Sequence, residues 1–185
     1  VGSSPTTSSD TYRGPSAFSE NETQIIRDFT NQHQFVFALN NHSYSNVIPI
    51  PYGYKRNTFT PDSVAYNTYC ARMTQCNGFS YGTPNQTVGY TANGASDDWM
   101  YGDTTQKKEI LVLTPEVSEG GFWLPANTIL GTCQENLRSN LDLALLTHNY
   151  VKKYDLSPHF IYNKSGNISL SLKRYGLQSG AVSIQ

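Results

Sequence analysis

Two side chains in this sequence stand where an α/β protein places its chemistry. His42 follows the apolar run Phe35-Val36-Phe37-Ala38-Leu39 and its polar end Asn40-Asn41, and Glu116 follows the apolar run Ile110-Leu111-Val112-Leu113 and Thr114-Pro115. Short, nearly all-apolar runs are the pattern of strands buried on both faces of a parallel sheet, and ligands sit beyond the carboxyl ends of such strands. An imidazole and a carboxylate in equivalent places on two strands can face one site. Alone, neither is decisive: a strand-end histidine is a metal ligand or a hydrogen-bonded structural residue, and a strand-end glutamate is a proton carrier or a solvated charge. Three further side chains accompany them. Tyr90 lies in the stretch 79–103, which is rich in Gly, Asn and Thr and too long for a plain connection. Tyr44 follows His42 closely and either lines a site or packs into a core. Asp97 is a candidate site carboxylate or simply a neighbour of a helix start at Ser96.

The elements that must position these residues follow from the pattern around them. Residues 1–17 read as a Ser/Thr/Pro/Gly-rich approach segment. Ser19 and Glu22 have the spacing of a capping box, which predicts a helix to about Gln34 with Ile25, Ile26 and Phe29 on its buried face. Val47-Ile48-Pro49-Ile50-Pro51 predicts a strand, and Pro61 through Gln75 a helix stopped by Asn77-Gly78. The stretch 79–103 reads as a binding loop. Leu137, Leu141, Ala144 and Leu145 recur at helical spacing, predicting a helix from Asn127 to about Tyr154 that closes the α/β unit. From Ser157 the pattern changes, and Asn167-Ile168-Ser169-Leu170-Ser171-Leu172 alternates with period two, as in a strand with one buried face. Residues 1–154 therefore form one unit, and 155–185 read as the start of a truncated β-rich domain.

Composition narrows the function classes. The 185 residues carry 13 basic and 14 acidic side chains, a formal net charge of −1, with no run of like charge. Nucleic acid is thus an unsuitable partner. No apolar stretch approaches the ~18 residues of a membrane span, and the first ten residues do not have the pattern of a signal peptide. The low charged fraction, 15%, with abundant Tyr, Asn, Ser and Thr, favours a secreted or periplasmic protein. Cys70, Cys76 and Cys133 fit no zinc-finger spacing; they read as buried small apolar residues, with Cys70 and Cys76 able at most to close one small loop.

Taken in order, the motifs are specific. Tyr12-Arg13-Gly14-Pro15, His42-Ser43-Tyr44-Ser45, Pro51-Tyr52-Gly53-Tyr54, Tyr90 with Gly94 and Asp97-Asp98-Trp99, and Glu116 before Gly121-Phe122-Trp123-Leu124-Pro125-Ala126 succeed one another along the chain. That succession resembles the zinc metallocarboxypeptidases of the carboxypeptidase A/B type over residues 11 to about 150. The resemblance implies an α/β fold: the C-terminal half of a mixed eight-stranded sheet flanked by helices, followed here by a short β-rich tail. It implies one zinc ion per intact domain, with His42 as the third protein ligand beside a His-x-x-Glu pair from the first half. Glu116 matches the glutamate that takes a proton from the attacking water and passes it to the leaving amine. Tyr90 matches the tyrosine that closes over the substrate's terminal carboxylate, and Tyr44 a substrate-lining tyrosine. Asp97 falls at the base of the specificity pocket, where a carboxylate favours Lys or Arg.

The sequence departs from the family in one respect. It contains no His-x-x-Glu, since His33 is followed by Gln34-Phe35-Val36 and His148 by Asn149-Tyr150-Val151. The resemblance thus implies a partner half carrying the remaining ligands and the arginines that bind peptide C-termini. It also implies an unpaired edge on strand 35–41 that favours self-association, and a chain inactive on its own. A cell-wall peptide amidase of the same fold and a peptide-binding pseudoenzyme are the alternatives. The tail resembles modules appended to secreted bacterial hydrolases.

Overall fold

A computed structural model describes residues 3–148, 151–155, 169–178 and 180–181. The strand β4, Leu111–Leu113, organises it. All three residues are buried, and β4 pairs in parallel with β1, Phe37–Leu39, placing Phe37 opposite Leu111 and Leu39 opposite Leu113. Past its end the chain meets β2, Val47–Pro49, in the antiparallel sense: Thr114 N–H donates to Pro49 O at 3.0 Å and Glu116 N–H to Val47 O at 2.8 Å. β2 in turn pairs in parallel with β3, Ser80–Gly82. The spatial order is therefore β1-β4-β2-β3, two parallel pairs joined by an antiparallel step. Among the described residues no strand pairs with the outer edge of β1.

Successive residues of a strand point to opposite faces, and β4 uses both. Leu111 and Leu113 join Ile48, Ile50, Tyr69, Met73, Leu143 and Leu146 in the main core, under α2, Ser63–Met73, and α5, Ala126–Leu146. Ile110 and Val112 pack on the other side with Met100 of α4, Ser96–Gly102. Strand β4 thus fits its all-apolar pattern. Strand β1 does not: its three residues are only half-buried and Val36 is exposed, because β1 is the edge.

The helices correct several expectations. α1, Asn21–Gln32, begins with Glu20 as N-cap, so Ser19 lies one residue too early for a capping box and its hydroxyl donates to Glu20 Oε1 at 2.8 Å. Ile25, Ile26 and Phe29 do share a face, but each is at least half exposed, and Thr30 is the buried residue of the helix. α2 ends as anticipated. Gly78 adopts φ +69°, where a side chain is disfavoured, and its N–H closes on Thr74 O at 2.8 Å. α5 ends at Leu146, not near residue 154, and turns the Leu137, Leu141, Ala144, Leu145 stripe outward. Polar anchors choose its buried face instead. Asp142 pairs with Arg72 of α2 at 3.0 Å, both buried, and Ser139 Oγ donates to Met73 O at 2.6 Å.

The stretch 79–103 is less irregular than its composition suggests. It holds β3, α4 and the short helix α3, Pro84–Thr87, whose capping box is formed by Thr83 and Gln86. In the tail, β5, Val151–Asp155, pairs antiparallel with β6, Leu170–Arg174, and Leu177 N–H donates to Leu146 O at 3.0 Å. Every residue of β6 is exposed, so the expected buried face is absent from Leu170-Ser171-Leu172; Asn167 and Ile168 lie outside the described residues. Cys70 is buried as anticipated, whereas Cys76 and Cys133 are exposed, and all three thiols are free. Burial pushes the Cys70 thiol up to about 12.

Candidate active site

Parallel pairing continues past the ends of β1 and β4 and carries the two strand-end residues together. Asn40 N–H donates to Leu113 O at 3.0 Å, His42 N–H to Pro115 O at 2.9 Å and Val117 N–H to His42 O at 2.9 Å. The register therefore sets His42 beside Glu116, and their side chains meet: Nδ1 lies 3.1 Å from Glu116 Oε2 and 2.9 Å from Ser43 O. The imidazole is 65% exposed and the carboxylate 12%. Nδ1 thus faces two oxygen acceptors, an arrangement that suits the tautomer with its proton on Nδ1.

The donor types suit zinc, which is bound by imidazole nitrogen and carboxylate oxygen. The donor number does not. Among the described residues no group of three or more His, Cys, Asp or Glu side chains surrounds a common point. His42 and Glu116 thus offer two donors of the types that zinc takes, fewer than a closed site uses.

The other candidates arrange themselves unequally around this pair. Tyr44, joined to Ser43 by a cis peptide, is partly exposed and sets its ring edge-to-face against Phe122 at 5.1 Å. Asp97 is only 5% exposed, in the first turn of α4, and Thr114, two residues before Glu116, donates from Oγ1 to Asp97 Oδ2 at 3.4 Å. Burial raises the Asp97 carboxyl above its ordinary value, and the Asp98 amide and the Thr114 hydroxyl pull the other way. Asn40 Nδ2 donates to Ser96 Oγ at 3.0 Å, fastening the end of β1 to the start of α4. Tyr90 stands apart. It is 42% exposed and, among the described residues, has no hydrogen bond or ring contact with His42, Tyr44, Asp97 or Glu116. Its loop is anchored two residues further on, where Ala92 N–H donates to Gly53 O at 2.9 Å.

Sequence reasoning passed over one residue that the structure makes prominent. Asp98 accepts from Gly53 N–H at 2.8 Å through Oδ1 and from Tyr54 N–H at 2.9 Å through Oδ2. Only its place before Trp99 marked it in the sequence, and no local pattern discloses a partner 45 positions away.

The chain is similar to known proteins in sequence and in fold. Residues 1–139 match the peptidase M14 family, described as zinc carboxypeptidase. Carboxypeptidase A2 of Mus musculus is 38% identical over 140 residues, 72% of this chain and 33% of that protein. Carboxypeptidase B of Canis lupus familiaris is 32% identical over 159 residues, 81% of this chain and 38% of that protein. Bovine thrombin-activatable fibrinolysis inhibitor, solved in complex with tick carboxypeptidase inhibitor, superposes with a TM-score of 0.62 at 27% identity, covering 77% of this chain and 50% of that one. The chain spans only about a third of the length of the curated relatives it matches. With the ordered motifs, the paired strand ends and the matched residues together, the chain belongs to the zinc carboxypeptidase family.

Proposed function

We propose that this chain is the working C-terminal part of a secreted or periplasmic zinc metallocarboxypeptidase, an enzyme that hydrolyses the last peptide bond of peptides and proteins. The 3.1 Å approach of His42 Nδ1 to Glu116 Oε2 carries this reading, because it brings a metal-binding nitrogen and a proton acceptor to one point. Zinc, when bound, polarises the scissile carbonyl and acidifies water. His42 contributes one ligand, and the remaining protein ligands come from a partner half of the domain that pairs along the open edge of β1. Glu116 holds the proton of the attacking water on its carboxylate and delivers it to the leaving amine. Tyr44 and Phe122 line the peptide's path, and Tyr90 closes on the terminal carboxylate. Asp97, shielded from water, selects a basic C-terminal side chain, since ionisation of a buried carboxylate is favoured by an incoming cation.

In the complete enzyme, Glu116→Gln should reduce kcat for release of C-terminal residues by roughly 100-fold or more, the usual scale of a lost general base. Retention of activity would overturn the role of Glu116. Asp97→Ala should lower kcat/KM for peptides ending in Arg while sparing those ending in Leu, and an unchanged ratio would remove Asp97 as the selectivity determinant. The 185-residue chain alone should bind zinc more weakly than micromolar by calorimetry, because affinity comes from the full ligand set.

A further inference from the structure

We propose that Asp98 is a positioning residue whose carboxylate fixes the Pro51–Tyr54 turn and, through Gly53, the loop that carries Tyr90. Each carboxylate oxygen takes one of two consecutive backbone amides, Gly53 N–H at 2.8 Å and Tyr54 N–H at 2.9 Å. Such charge-assisted pairs are stronger and more directional than neutral ones. The carbonyl of the same Gly53 then receives Ala92 N–H at 2.9 Å, two residues beyond Tyr90. A three-member chain thus runs from α4 through the turn to the loop.

The contact at Gly53 is too close to tolerate a side chain. A Cβ there would lie 2.9 Å from Ala92 O and 3.0 Å from Pro84 Cγ, so a side chain at this position would push directly on the loop. The other end of the chain is equally fixed. Lys107 Nζ caps the end of α4 by donating to Met100 O at 2.6 Å, Asp103 O at 2.6 Å and Trp99 O at 3.2 Å, and its ammonium sits 5.0 Å from the Trp99 ring centre. The base that holds Asp98 is therefore a helix tied at its far terminus. Asp97 and Asp98 are adjacent in its first turn, so one turn of helix sets both the buried carboxylate and the origin of the Tyr90 loop. The geometric part of this proposal is independent of any role for Tyr90. Its catalytic consequence rests on the proposed reading of Tyr90 as the residue that closes on substrate.

Amide hydrogen exchange on the 185-residue chain tests the geometry. In Asp98→Asn, where one acceptor oxygen becomes a donor, the Gly53, Tyr54 and Ala92 amides should exchange at least about tenfold faster, while the Leu111–Leu113 amides keep their protection. Gly53→Ala, which leaves the carboxylate intact, should release Ala92 by the steric route. Unchanged exchange at Ala92 in both variants would overturn the proposal, as would loss of protection throughout β4, which would make Asp98 a residue of general stability. The complete enzyme gives the second arm: Asp98→Asn should raise KM for C-terminal peptides more than it lowers kcat. Faster exchange at Ala92 with unaltered KM would leave the clamp standing and refute the part assigned to Tyr90.

Discussion

The contact between α2 and α5 and the open side formed by α1 and β1 are made of opposite materials. Between α2 and α5 the decisive groups are polar and buried: Asp142 with Arg72 at 3.0 Å, Ser139 with Met73 O at 2.6 Å, and Asn77 Nδ2 with Ser139 Oγ at 3.1 Å. On α1 and along β1 the side chains are apolar and uncovered, among them Ile25, Ile26, Phe29 and Val36. Apolar surface is ordinarily the first to be hidden on folding, so these open apolar faces and the closed polar network between the helices differ in kind. The outward stripe of α5, with Leu137, Leu141 and Leu145, belongs with the uncovered faces.

That contrast can be broken most forcefully at the polar network. Asp142→Ala leaves the Arg72 guanidinium, 9% exposed, without its carboxylate and with only Gln75 Oε1 at 3.3 Å, and should cost about 3–5 kcal/mol of unfolding free energy in urea titration. A loss below about 1 kcal/mol, the scale of exposed ion pairs, would show that the pair is solvated.

A smaller effect comes from the carboxyls in and near α4. Burial raises the folded-state values of Asp97, Asp98 and Glu109. A raised value means that the stabilising difference is fully present below the ordinary carboxyl range and is lost as pH rises through the folded value. Thermal midpoints should therefore fall as pH rises from the ordinary carboxyl range through the raised values. Asp97→Asn should flatten that slope, and an unchanged slope would show that Asp97 titrates normally. Asp103, lowered by the Thr105 hydroxyl and amide, works in the opposite sense, losing its contribution as pH falls.

The smallest effect is expected on the uncovered side. Ile26→Ser should change unfolding free energy by no more than about 0.5 kcal/mol, because the side chain gains little from folding in this chain. The same substitution should reduce self-association in sedimentation. A large destabilisation would show that α1 is covered in solution.

What was legible in the sequence was local. The apolar runs before His42 and Glu116 marked strand ends, and pairing in register brought the two together because equivalent positions on neighbouring parallel strands are adjacent in space. The motif order carried the family, since it survives any error in element boundaries. What was not legible depended on distant partners. The buried face of α5 was misread because Ser139 and Asp142 look like surface residues until Met73 and Arg72 are placed opposite them. The partners of Asp98 were hidden for the same reason, and the exposed face of α1 was misread because periodicity records that a face is apolar, not whether anything lies upon it.

The three free thiols give the molecule a built-in clock. Cys76 and Cys133 are open to solvent, whereas Cys70 is enclosed in the main core with its thiol held protonated far above neutral pH. Thiolate is the reactive form, so an alkylating dye should mark the two outer sites promptly and reach the third only when the core opens. The slow appearance of a third label in the native chain then measures how often α2 lifts from the sheet, without any substitution or added probe site.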